Sequence, residues 1–338
     1  MHTSLKEIAN NLQVSTATVS WVLSGQGTAR GIGNATQKKV LRYAKEVGYV
    51  PNLLARGLNT GITNTIGIVI PSISDLFYSS IVREIELESE KLGYSLMICS
   101  SESEKEREMR MIKMLRSKQA DGIIIAPTKR SRTDFENFLQ EDYPFVLFDR
   151  FFSDMDTNYV IIDNESSSYQ LVKHLVNKGR KKIAIITTNP HLETLNMRYM
   201  GYKRALQDSG LEVNPDLYGF VEYVDYEKNI YDVLDVIFQK VPDVDGFFFT
   251  THILALEAFC YFHERNRDVN RQFGLACIHE VSAFRVLAPG ISVARMPVEA
   301  IGKNAVRILH DNIEYLRSQD KAPYVHNKMI LPCTIKLH

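Results

Sequence analysis

Thr3-Ser4-Leu5-Lys6-Glu7-Ile8-Ala9 and, after a short break, Val14-Ser15-Thr16-Ala17-Thr18-Val19-Ser20-Trp21-Val22-Leu23 are the stretches on which the reading of this chain turns. In the first, Leu5, Ile8, Ala9 and Leu12 recur at i, i+3, i+4 and i+7, one apolar stripe on a short helix. In the second, Ser15 is a good helix cap and Val19, Val22 and Leu23 supply the buried face. Thr16, Ala17, Ser20 and Trp21 fall on the opposite face and are small, polar or planar. Two short helices with a tight turn between them lay a helix in the DNA major groove, although a small helical bundle without DNA carries the same pattern.

Charge separates these two readings. The chain as a whole is neutral, with 40 Lys+Arg and 40 Asp+Glu. Residues 1–60 hold seven cations (Lys6, Arg30, Lys38, Lys39, Arg42, Lys45, Arg56) and two anions (Glu7, Glu46), a net of +5. The other 278 residues carry 33 cations and 38 anions, a net of −5. A basic module on a mildly acidic body suits phosphate contact by one end only. A third helix is expected from about Asn34 to Val47, with Val40, Leu41, Ala44 and Val47 inward and Gly48 ending it. Asn34 and Gln37 form a capping box, or Gly33 is the cap; the sequence leaves both open. Between the second and third helices, Gly25-Gln26-Gly27-Thr28-Ala29-Arg30-Gly31-Ile32-Gly33 follows a helix and not a strand. It therefore reads as a flexible loop along the DNA backbone and not as a nucleotide phosphate cradle.

At 338 residues the chain exceeds one core, and two or three domains are expected. It has no run of eighteen apolar residues for a transmembrane helix. It begins on a polar amphipathic helix without an apolar signal segment, so the expected location is the bacterial cytoplasm, at the nucleoid. Cys99, Cys260, Cys277 and Cys333 form no C-x-x-C pair; buried free thiols are expected, with no metal and no cofactor.

From Asn64 the pattern changes. Apolar strands are expected at 66–70, 94–99, 122–125 and 145–148, alternating with helices from Tyr78 to Leu92 and about 104–118 and one further helix. A second series starts near Val160: helices at about 166–178, 197–209 and 229–240, and strands at 183–186 and 246–249. Two such sets imply an α/β body of two doubly wound parallel sheets. Ligands in such sheets bind at the carboxyl ends of strands, and with two lobes the cleft between them is the default site. Asp149 follows the strand 145–148 at that end.

Three blocks carry a family resemblance: Leu5-Lys6-Glu7-Ile8-Ala9, Val14 to Ser20, and Gly48-Tyr49-Val50-Pro51-Asn52-Leu53-Leu54-Ala55-Arg56-Gly57-Leu58. Together, with matching spacing, they resemble the headpiece and hinge of the lactose/galactose repressor (LacI/GalR) family of bacterial transcription regulators. The body resembles the periplasmic sugar-binding proteins. The resemblance implies a small all-α helix-turn-helix headpiece (1–50), a hinge helix and linker (51–63), and a two-lobed periplasmic-binding-protein-like effector and dimerisation domain (64–338). Lobe 1 is expected at about 64–160 and 293–322, lobe 2 at about 161–292 and 323–338, with crossovers near 161, 292 and 323. The block Ser292 to Gly302 matches the return crossing, and no heptad repeat follows Pro332, so a tetramerising coil is not expected.

The resemblance also places functions. Thr16, Ala17 and Trp21 occupy base-reading positions; Thr and Ala suit a thymine methyl, and Thr also hydrogen-bonds to bases. Trp21 departs from the Arg or His common there, since indole has one donor and no charge. Gln13 replaces a common turn glycine. Ser15, Ser20 and Thr36 are expected on phosphates, and Thr18, Asn52, Ala55 and Arg56 complete the DNA-binding set. Leu58 falls where the family wedges a leucine between base steps, although packing on its own headpiece is the other reading. In the body, Arg198-Tyr199-Met200-Gly201-Tyr202 matches an R-x-x-G-aromatic motif whose guanidinium reaches effector hydroxyls or a carboxylate. Phe77 and Tyr78 match aromatic pocket positions, and His279 stands at the family's effector-hydroxyl aspartate. Thr250-Thr251-His252 replaces a common Asn-Asp. These departures favour an acidic or phosphorylated sugar, or no small effector at all.

The expected protein is thus a sequence-specific DNA-binding regulator, a repressor acting as a homodimer on a pseudo-palindromic operator under a carbohydrate-type effector. A transport-associated sugar receptor leaves the headpiece unexplained. A regulator answering to a protein co-regulator is the other alternative. An enzyme is not expected: H-E-x-x-H, G-x-S-x-G and P-loop patterns are all absent.

Overall fold

The computed structural model describes residues 4–49, 61–128, 132–188, 192–222, 225–318 and 323–338. By internal contacts the chain divides into two units, Met1–Thr63 and Asn64–His338.

The first unit holds α1 (Leu5–Leu12), α2 (Thr16–Leu23) and α3 (Asn34–Glu46). Ser4 and Glu7 cap α1 reciprocally, and Ser15 accepts from the Thr18 N–H at the start of α2. Gln13 ends α1 at φ 57°, the left-handed region where glycine is the easy choice. Ile8, Ala9, Leu12, Val19, Val22, Val40 and Ala44 form the core. Of the two caps left open for α3, Gly33 is the one present, with no side-chain cap bond, and Gln37 Nε2 is turned to donate to Ile32 O and Thr28 Oγ1. One expectation for α3 fails. Leu41 is 51% exposed, since the buried stripe runs through Val40 and Ala44 and leaves it a helical step to the side.

The second unit opens with β1 (Thr65–Ile70), α4 (Leu76–Lys91), β2 (Ser95–Ser100), α5 (Lys105–Ser117), β3 (Gly122–Ile125), α6 (Arg132–Gln140), β4 (Phe145–Phe148) and β5 (Tyr159–Ile162). The second lobe follows with α7 (Asn164–Asn177), β6 (Ile183–Thr187), α8 (Glu193–Gln207), β7 (Tyr218–Phe220), α9 (Tyr226–Lys240), β8 (Gly246–Phe249), α10 (His252–Glu264), β9 (Gly274–Ile278) and β10 (Ser292–Arg295). The chain then returns through α11 (Val298–Arg317), β11 (Lys328–Leu331) and β12 (Thr334–Lys336). The two sheets have strand orders β11-β5-β4-β3-β1-β2 and β12-β10-β9-β8-β6-β7. The pairings are parallel, except that β12 runs antiparallel to β10.

The chain passes between sheets three times: after β5, after β10, and between β11 and β12. The third passage was expected near 323. It lies at Pro332-Cys333, because Lys328–Leu331 pairs in parallel with β5 and so belongs to the first sheet. Among the cysteines, Cys99 and Cys277 are buried and Cys333 is half-buried. Cys260 is exposed, contrary to expectation, because its side of α10 faces away from the sheet.

Candidate functional site

The cleft lies where the parallel strands of both lobes end. From lobe 1 come Asp75, Phe77 and Tyr78 at the start of α4, and Asp149 and Arg150 after β4. From lobe 2 come Thr188 after β6, Arg198 of α8, Thr251 and His252 at the start of α10, Ile278 at the end of β9 and His279 after it. All five body residues singled out from the sequence, Phe77, Tyr78, Asp149, Arg198 and His279, line this one cavity of about 80 Å³. That is well under the ~300 Å³ at which ligand pockets usually begin. In this conformation the cleft is contracted.

Arg198 owes its position to helix packing. A Cβ on Gly201 would stand 2.2 Å from the Glu165 carbonyl oxygen, so only glycine lets α8 lie this close to α7. One turn earlier, Arg198 then reaches Asn164, with Nε 2.7 Å from Oδ1, and the end of β8, with Nη1 2.6 Å from the Thr250 oxygen. Tyr202 locks the same helix by donating to Ile183 O. Arg198 is thus a buried clamp, and burial pulls its pKa down from the ordinary guanidinium value.

Across the cleft, the Tyr78 hydroxyl donates to Asp149 Oδ2 at 2.7 Å, and Arg150 Nε lies 3.9 Å from the same oxygen. Burial drives the Tyr78 pKa well above its usual value, so the phenol remains a donor. Asp149 sits at φ 58° and His279 at φ 77°, left-handed positions that turn the chain sharply off the strand ends. His279 is half-buried. Its pKa falls to about 3, first because of burial and then because of His252, so the ring is neutral. Its Nδ1 and the Thr188 Oγ1 are buried and, among the described residues, without a hydrogen-bond partner. Unpaired buried polar atoms are costly unless a ligand or water meets them.

Sequence reasoning missed Asp75. It caps α4 by accepting from the Phe77 N–H, and its Oδ1 lies 3.4 Å from His252 Nε2 on the other lobe. The signal was available: an acidic residue after an apolar strand and just before a helix. Asn164 and Thr188 carried no comparable mark.

In the headpiece, Ser15, Thr16, Ala17 and Ser20 are exposed along α2, while Thr18, Trp21 and Thr36 are half-buried. Trp21 is not among the residues packed on the headpiece core; its ring lies under the Arg30 guanidinium, 5.1 Å from ring centroid to Cζ. Asn52, Ala55, Arg56 and Leu58 lie outside the described residues. The loop from Gly25 to Gly33 is tied by Gln26 N–H to Trp21 O, Arg30 N–H to Gln26 O and Ile32 N–H to Gly27 O. These bonds fold it into a hydrogen-bonded turn.

A helix-turn-helix unit and a two-lobed cleft of this construction on one chain define a DNA-binding regulator with a ligand-binding body. Residues 4–52 match the bacterial regulatory proteins of the lacI family, and residues 63–322 match the periplasmic binding proteins and sugar binding domain of the LacI family. The chain belongs to the LacI family of bacterial transcription regulators. The HTH-type transcriptional regulator RegA of Clostridium saccharobutylicum is 31% identical over 312 residues, covering 91% of this chain and 92% of that protein. Catabolite control protein A of Priestia megaterium is 28% identical over 311 residues, with 91% and 92% covered. The structure of the lac repressor dimer bound to operator and the anti-inducer ONPF has the same fold, with a TM-score of 0.83 at 18% identity over 99% of this chain and 98% of that one.

Proposed function

We propose that the protein is a transcriptional repressor that binds a pseudo-palindromic operator as a homodimer and is switched by an uncharged, hydroxyl-rich carbohydrate in the cleft. Ser15, Thr16, Ala17, Thr18, Ser20, Trp21 and Thr36 face the DNA, with Asn52, Ala55, Arg56 and Leu58 of the hinge completing the contact. Phe77, Tyr78, Asp149, Arg198 and His279 hold the effector. The observation that carries the effector class is the pair of unpartnered atoms, His279 Nδ1 and Thr188 Oγ1, both on neutral groups. The cleft sets two carboxylates, Asp75 and Asp149, against two guanidiniums, Arg150 and Arg198, and Arg198 is already engaged by Asn164 Oδ1 and Thr250 O. A phosphorylated sugar would meet two carboxylates in a site with little positive charge to spare, which reverses the preference drawn from the sequence.

Calorimetric titration of the full chain with neutral hexoses and disaccharides, and with hexose phosphates, tests the assignment. A neutral sugar is expected to bind and to change operator affinity, and Arg198→Ala to lose that binding while effector-free operator binding persists. Binding of hexose phosphates alone contradicts the charge argument. Absence of any small-molecule binding makes a protein co-regulator the better account.

A further inference from the structure

The recognition helix α2, Thr16–Leu23, contains no charged residue. Its exposed side offers the hydroxyls of Thr16 and Ser20 and the methyl of Ala17, with the Trp21 indole half-buried beside them. A guanine edge in the major groove presents two adjacent acceptors, O6 and N7, and the side chain that fits both is a two-donor fork. A hydroxyl has one donor proton and an indole one N–H. Left to itself, α2 has no two-donor group for guanine.

Two of the headpiece cations are engaged within the headpiece. Lys39 donates to Leu12 O, and Arg42 pairs with Glu46. Arg30 is exposed, and among the described residues its side chain makes neither a hydrogen bond nor an ion pair. Its guanidinium lies over the face of Trp21, at a separation within the range of a cation–π interaction. The loop is built to bring it there. Gly25 and Gly31 take φ 76° and 71°, which reverse the chain where a side chain would be strained. Gln26 N–H bonds back to Trp21 O at 2.8 Å, so the loop folds onto the end of α2 and does not leave it. Gln37 of α3 then fixes the far side by donating to Ile32 O at 2.7 Å, and Gly27 is buried under that side chain. A loop tied at both ends carries an unpaired guanidinium back to the recognition face.

We propose that Arg30, seated on the Trp21 ring, is the guanine-reading residue of the headpiece, delivered by the loop after α2 and not by α2 itself. Trp21 is then a positioning residue: it holds the fork flat at the groove edge and makes no guanine contact of its own. The proposal rests on the DNA-binding reading of the headpiece.

The test uses the full chain and a pool of randomised duplexes. Wild type is expected to enrich a half-site containing a guanine whose replacement weakens binding. Arg30→Ala should lose discrimination at that one position by roughly tenfold to a hundredfold while keeping the remaining preferences. Trp21→Ala should weaken discrimination at the same position, and Trp21→Phe, which keeps an aromatic face, should retain more of it. Thermal melting of each variant separates misfolding from lost readout. Arg30→Ala that weakens all duplexes equally and lowers the salt slope by about one makes Arg30 a phosphate contact and overturns the proposal. So does an unchanged preference. A wild-type chain that enriches no sequence overturns the DNA-binding reading itself.

Discussion

His279 holds a neutral imidazole in a half-buried, left-handed position, with its pKa at about 3. The unfolded chain takes up that proton near pH 6.5 and the folded chain does not. Stability linked to this group is therefore complete above about pH 6.5 and is lost as pH falls toward 3, at a slope of at most about 1.4 kcal/mol per pH unit. Asp75 acts lower on the scale. Burial opposes its ionisation, but the contact with His252 and the Phe77 N–H outweigh it and hold its pKa below the ordinary carboxylate value. Its contribution is present above the unfolded pKa and disappears only as pH falls through the lower, folded one. Thermal melts of wild type and His279→Gln between pH 7.5 and pH 5 should separate the two groups, with the variant flatter across that window. Parallel curves would place the proton uptake elsewhere.

At the scale of elements, the α7–α8 contact is the most exacting joint. Gly201→Ala puts a Cβ against the Glu165 carbonyl, where backbone on both sides must give way. The variant should melt several degrees lower and bind ligand more weakly, because Arg198 moves with its helix; overpacking of this kind typically costs ~1–3 kcal/mol. A variant with wild-type melting and ligand affinity would mean that the helices separate without consequence. The same comparison explains what the sequence disclosed. Parallel strands buried on both faces are continuous apolar runs, so Ile66–Ile70, Ile183–Ile186 and Gly246–Phe249 announced themselves. Tyr218–Phe220 and Lys328–Leu331 did not: they are short, lie at sheet edges and expose alternate residues, so they carry no such run. The cleft residues could be found where a motif or a strand end marked them, as with Arg198 and Asp149. Asp75 and Asn164 act through His252 and Arg198, distant in sequence, and only the fold brings Thr188 to the cleft; periodicity encodes neither.

For the whole molecule, the consequence is linkage between two sites on one chain. An effector moves the DNA-binding equilibrium only by its different affinity for the two states of the body. The Asp75–His252 contact, 3.4 Å across the cleft, ties one lobe to the other, and an effector in the cleft would bear on it. The charge asymmetry assigns the other site: seven cations against two anions in residues 1–60 make phosphate contact by that end the dominant source of affinity. The central claim is sequence-specific DNA binding by the headpiece. It is tested most directly by titrating the full chain against duplex from upstream of its own gene, beside a random duplex of equal length, over a salt series. The account predicts a preference for the upstream duplex and an affinity whose logarithm falls linearly and steeply with the logarithm of salt concentration. Equal affinity for both duplexes, or a flat response to salt, would contradict it.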